Sequence, residues 1–132
     1  MIDVALFARL TKDSAVSALI DTRVYPQVAP PKAVYPLVTH MLVDDGSRSA
    51  RPVAGAATLF RTLNEVDIYA RRRLEALELA AAVRAALDGK INEVWGGMAI
   101  KASMFDRQFD GSFDADPNLH RIIQQYRISF SQ

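Results

Sequence analysis

The sequence predicts an α+β domain: a four-stranded, mainly antiparallel sheet with one long helix packed on a face and short helices at the N-terminus. Three observations carry this expectation. Residues 74–87, LEALELAAAVRAAL, consist of strong helix formers, and Gly89 stands just beyond them, where a left-handed residue commonly ends a helix. Four other segments show the alternation or the unbroken apolar run of a strand. One strong helix among four strand-like runs is the element pattern of an α+β fold, and 132 residues suit a single domain spanning 1–132. With 50% apolar and 23% charged residues, the chain lies far from the composition of disordered proteins.

Taken in order, Asp3 can cap a first short helix with Val4, Phe7 and Leu10 inward, and Thr11 or Asp13 a second with Val16, Leu19 and Ile20 inward. Residues 22–36 hold prolines at 26, 30, 31 and 36 and read as an ordered connector without a helix. Leu37 to Val43, LVTHMLV, is almost continuously apolar, as for a strand covered on both sides or covered by a neighbouring subunit. Residues 44–58 are small, polar and rich in Gly and Pro, and form an expected mobile loop, too long for an ordinary hairpin of about 2 to 5 residues.

Leu63 to Arg71 alternates, with Val66, Ile68 and Ala70 on one face and Glu65, Asp67 and Tyr69 on the other. The long helix follows, with two apolar stripes, one through Leu74, Leu77, Ala80 and Ala81 and one through Ala76, Leu79, Val83 and Leu87. Met98 to Phe105 alternates with Met98, Ile100, Ala102 and Met104 in register. Ile122 to Phe130 does so with Ile122, Tyr126, Ile128 and Phe130, interrupted by Gln124. Residues 106–118 between them read as a turn-rich acidic loop.

Chemistry is excluded segment by segment. Cys is absent, which removes thiolate nucleophiles and sulfur zinc sites, and His40 and His120 stand alone without a metal-binding spacing. GxSxG, SxxK, P-loop and dinucleotide fingerprints are missing, and Gly96-Gly97 opens no helix that could cradle a phosphate. The aspartates at 106, 110, 114 and 116 do not match a calcium loop. No enzyme activity, cofactor or metal is expected. A net charge of +1 offers no global field for nucleic acid, and no run reaches the roughly 20 apolar residues of a membrane span.

Charge is instead distributed locally. Residues 44–73 carry Arg48, Arg51, Arg61, Arg71, Arg72 and Arg73 against four acids, while 106–118 carries Asp106, Asp110, Asp114 and Asp116 against Arg107. Arg71 to Arg73 sit where the long helix begins, where positive charge opposes the helix dipole by roughly 0.3 to 1 kcal/mol each. Opposite charge on two surfaces of one subunit suits head-to-tail association into a ring. Arg48, Arg51, Arg71, Arg72, Arg73, Asp106, Asp110, Asp114 and Asp116 are therefore the candidate interface residues.

The ordered motifs TRVYP at 22–26, VYPLVTH at 34–40, VDIYA at 66–70, LELAAAVRAALDG at 77–89 and YRISF at 126–130 extend over nearly the whole chain. Together they resemble the small tail-completion or tail-terminator proteins of long-tailed bacteriophages and phage-like particles. The resemblance implies a structural virion protein of the tail-neck region, made in the host cytoplasm, that forms a ring, typically a hexamer, on the head-proximal end of the tail tube. There it would stop tube polymerisation and offer the head-joining surface. The implied partners are further copies of itself, the tail tube protein, a head connector or stopper, and DNA passing through the lumen without sequence-specific binding. The family motif marks fold positions such as Arg23, Pro26 and Pro36. Two alternatives stand beside this reading: another neck component, such as a head-completion or head-tail adaptor protein, and a small ligand-binding or hydrolytic domain.

Overall fold

In the computed structural model, residues 2–44, 59–111 and 118–131 are described. The element order is α1 (Ile2–Lys12), α2 (Ser14–Ile20), β1 (Val24–Pro26), β2 (Leu37–Asp44), β3 (Leu59–Ala70), α3 (Arg73–Leu87), β4 (Lys90–Trp95), β5 (Met98–Asp110) and β6 (His120–Ser131). The sheet corrects the expected architecture. It has six strands in the order β1-β2-β3-β6-β5-β4, not four, and it is mixed, because β1 runs parallel to β2 while the other pairings are antiparallel.

Both unexpected strands are edges. β1 is three residues long and ends in Pro26, which has no N–H to give to a ladder, so its composition reads as connector. Its place is secured by Arg23, whose Nε donates to the Pro36 carbonyl at 2.9 Å and whose Nη2 reaches the Leu19 carbonyl at 3.4 Å. Arg23 thereby ties α2, β1 and the end of the proline connector together. β4 is obscured because Asn92 takes a φ of +54° and breaks the alternation, while Gly96 and Gly97, at φ +56° and +85°, make the tight hairpin turn into β5. Gly96 also permits close packing, since a Cβ there would lie 3.1 Å from the Ala8 Cβ on α1.

α3 lies on β6, β3 and β5, and α1 touches β1 and β2 as well as β4. A helix in contact with both edge strands means that the sheet curls around it. Irregular register in β2 and twice in β5, between Ile100 and Ala102 and between Phe105 and Arg107, contributes to that curl, because a bulge bends a strand and increases its twist. The bulges also reset which side chains face inward. Ile100 and Ser103 are buried, whereas Met104, expected inward, is exposed. Asp106 to Asp110, expected in a loop, are the last residues of β5.

One core unites all three helices with one face of the sheet, through Leu6, Leu10, Ile20, Leu79, Ile122 and Tyr126 among others. α1 turns Ile2, Ala5, Leu6 and Leu10 inward, so that Leu10 is buried as expected, but leaves Val4 and Phe7, also expected inward, exposed. Asp13 caps α2, accepting from the Val16 N–H at 3.1 Å, and Val16 and Ile20 are buried. In α3 only the stripe through Ala76, Leu79, Val83 and Leu87 is fully buried, together with Ala80 and Ala86, and Leu74 and Leu77 face out. Gly89, at φ +70°, follows the helix in the left-handed region. Gln124 is wholly buried because its amide donates to the Ala80 carbonyl at 3.0 Å and to Gln108 Oε1 at 2.8 Å, while the Tyr126 hydroxyl donates to its Oε1 at 2.7 Å. Among the described residues no helix is long and apolar enough to cross a membrane.

Candidate assembly surface

The arginines at the start of α3 diverge. Arg71 stacks its guanidinium 4.7 Å from the centre of the Tyr35 ring. Arg72 is the N-cap residue and makes no side-chain capping bond. Arg73 pairs with Asp110 of its own chain, Nη1 to Oδ1 at 2.6 Å, so the positive charge at N1 is matched by the end of β5. Asp106 lies 3.5 Å from both Arg107 Nε and Arg127 Nε. The structure thus joins one expected basic residue to one expected acidic residue within a single subunit, Arg73 to Asp110. Arg48, Arg51, Asp114, Asp116 and the rest of 45–58 lie outside the described residues.

A second charged group lies on the sheet face away from the helices. Asp67 is buried on β3 and accepts from Arg121 Nε at 3.1 Å and Nη2 at 2.5 Å, while its Oδ1 has no partner among the described residues. Arg121 also lies 3.9 Å from Glu65 and 5.7 Å from the centre of the Tyr69 ring. Burial raises the Glu65 carboxyl above its usual range, and the adjacent Asp67 adds to this against the pull of Arg121. The sequence placed Glu65, Asp67 and Tyr69 on one face but offered no sign of Arg121, which is 54 residues from Asp67 in the chain.

Exposed apolar side chains outline two further features. On the same helix-free face Ile91 and Val94 of β4, 59% and 71% exposed, stand opposite Ala102 and Ala99 of β5, with Met104 further along. Between α2, the residue before β2 and the start of α3 runs an open groove of about 390 Å³, lined by Leu19, Pro36, Arg72, Leu74, Glu75 and Glu78 among others. Leu74 is 68% exposed.

His40, which stands alone in the sequence without a metal-binding spacing, is buried on β2 with Nδ1 3.4 Å from Asp3 Oδ1 and without a hydrogen-bond partner among the described residues. Burial pushes its imidazole below the ordinary value of 6.5, although Asp3 pulls the other way. The unfolded chain therefore binds more protons at His40, so this group's contribution to stability is complete above pH 6.5 and is lost as the pH falls through that value towards the folded pKa. His40→Gln is expected to flatten the fall in urea midpoint between pH 7 and pH 5, where one titrating proton contributes at most ~1.4 kcal/mol per pH unit. An unchanged slope in the variant would assign the acid sensitivity to other groups. Among the described residues no three His, Asp or Glu side chains are gathered so as to hold a metal ion.

The family model described as tail completion protein gp17 matches residues 4–131. A search of the curated proteins found no match. Among solved structures, a chain from the virion of a native gene transfer agent particle superposes with a TM-score of 0.68 and 22% identity, covering 99% of this chain and 95% of its own. Another solved chain superposes with a TM-score of 0.60 and 15% identity, covering 96% of this chain and 94% of its own.

Proposed function

The chain belongs to the tail completion protein gp17 family and is a structural component of a phage or phage-like tail, and from that premise we propose that it forms a ring on the head-proximal end of the tail tube. The ring consists of six copies, ends tube polymerisation, and presents the surface to which a head connector or stopper attaches. DNA passes through its lumen without sequence-specific contacts. The protein acts by assembly and not by catalysis.

The observation that carries this reading is the family match over residues 4–131. The exposed apolar side chains on β4 and α3 support it, because such residues on a small subunit mark surfaces that other proteins cover. The interface expected at the nine charged residues remains part of the proposal in modified form. Arg73 and Asp110 already form an ion pair, so across an interface they act as a preformed pair, whereas Arg72 offers its full charge to a neighbour.

Particles produced without this protein are expected to carry tubes beyond normal length and to lack attached heads when viewed by negative-stain electron microscopy. Tails of normal length joined to heads would overturn the proposal. Tails of normal length without heads would remove its tube-stopping half and favour a head-tail adaptor.

A further inference from the structure

We propose that Glu65 and Asp67 share one proton, donated by the Glu65 carboxyl to the buried Asp67 Oδ1, and that its release switches this group on the helix-free face from neutral to negatively charged. The two residues are two apart on β3, so their side chains leave the same face of the sheet. Both reach one nitrogen, Arg121 Nη2, which lies 3.9 Å from Glu65 Oε2 and 2.5 Å from Asp67 Oδ2. They also stand within hydrogen-bonding reach of each other. Ionised carboxylates only accept, so a hydrogen bond between two of them needs a proton on one.

The surroundings leave one place for that proton. Arg121 takes Asp67 Oδ2 with both Nε and Nη2, and Oδ1 is left buried without a donor among the described residues. The neighbouring strands bring no second cation to the pair: Thr39 and Met41 of β2 and Ile123 and Gln125 of β6 stand opposite Asp67 and Glu65. Thr39 is hydrogen-bonded to Tyr69 and Gln125 to Glu65. Arg121 and Tyr69 are the other titratable groups at the site, and the Tyr69 phenol is itself held above its usual range by burial. A protonated Glu65 therefore supplies the donor that Oδ1 lacks.

With the proton in place, one carboxylate faces one guanidinium and the group is neutral. Without it, two carboxylates crowd a single guanidinium in a site where the Asp67 side chain is 7% exposed and that of Glu65 16%. Like charges so placed disfavour the second ionisation, and burial adds to this, so the proton is held above the ordinary carboxyl range. The folded state then binds more protons than the unfolded one. This contribution to stability is complete below the ordinary glutamate value of 4.5 and is lost as the pH rises through the folded pKa. The sign is opposite to that of His40, which keeps the two groups separable.

The Glu65 carboxyl carbon, followed by NMR in the 13C-labelled full chain, reads the proton directly. It is expected to titrate above the ordinary range in the native protein, and to move back towards that range in Asp67→Asn, where the second charge is gone. Titration at or below the ordinary range in the native protein would overturn the proposal. So would an unmoved titration in an Asp67→Asn variant with native circular dichroism, since burial alone would then hold the proton. Glu65→Gln keeps an N–H donor beside Oδ1 at every pH. Its urea midpoint, measured relative to the native chain, is expected to rise from pH 5 to pH 8, and a difference independent of pH would also overturn the proposal.

Discussion

Arg121→Leu is expected to lower folding stability by about 2 to 3 kcal/mol, because it removes the only cation that reaches the buried Asp67 carboxylate among the described residues. Breaking a fully buried pair costs more, roughly 3 to 5 kcal/mol, but the Arg121 side chain is 29% exposed and solvent screens part of the interaction. The loss has a predictable pH dependence. Arg121 is also the cation that restrains the already raised Glu65 carboxyl, so its removal raises that group further. A carboxyl whose folded pKa exceeds its unfolded value binds more protons in the folded state, so stability falls as pH rises above the ordinary carboxyl range. The deficit of Arg121→Leu is therefore larger at pH 8 than at pH 5 in urea titrations. A deficit independent of pH would show that Arg121 acts through packing on Tyr69 and not through charge. Asp67→Asn in the same chain should recover part of the loss at pH 8, because the orphaned group is then neutral.

Gln124→Leu is expected to cost about 2 kcal/mol, although Leu is of similar size and apolar. The reason is the hydroxyl it strands. Tyr126 is fully buried and donates to Gln124 Oε1, and a buried donor left without an acceptor costs about 1 to 3 kcal/mol. The same burial holds the Tyr126 phenol well above the usual range, so it cannot escape by ionising. The other Gln124 partners tolerate the change better: Gln108 lies on the exposed part of β5, and Ala80 keeps its carbonyl within the ladder of α3. Adding Tyr126→Phe should therefore recover about 1 kcal/mol, since removing both partners of a buried hydrogen bond is far milder than removing one. If the double variant were no more stable than Gln124→Leu, the cost would lie in packing against α3 and not in the stranded hydroxyl.

These two networks also show what a sequence can carry. The unusual residue was visible in each: Gln124 interrupts an apolar alternation, and Asp67 stands in a strand. Their partners were not. Gln124 meets a helix carbonyl 44 residues away and Asp67 an arginine 54 residues away, and no local pattern encodes either meeting. The interface residues have the same asymmetry, for Arg73 and Asp110 were both singled out as charges for a neighbour, yet 37 residues apart they pair within one subunit.

Local patterns determined α3 and its glycine stop, the inward faces of β3 and β6, and the family, because each rests on propensity, periodicity or ordered motifs along the chain itself; they left the cap of α2 open between Thr11 and Asp13, and the structure places Asp13 there. Tertiary structure decided the rest. The short β1 becomes a strand because β2 lies alongside it and Arg23 clips the connector. β4 does so because Gly96 and Gly97 fold it back onto β5, with Asn92 in a conformation that its alternation could not announce. Which face of α1 turns inward is decided in the same way: Val4 and Phe7 match a helical stripe through Leu10 as well as Ile2 and Leu6 do, and only the curl of the sheet from β1 to β4 around that helix determines which stripe it encloses. An apolar period reports that a face can be buried; the neighbour that buries it comes from elsewhere in the chain or, for the stripes left exposed on α3 and β4, from another chain.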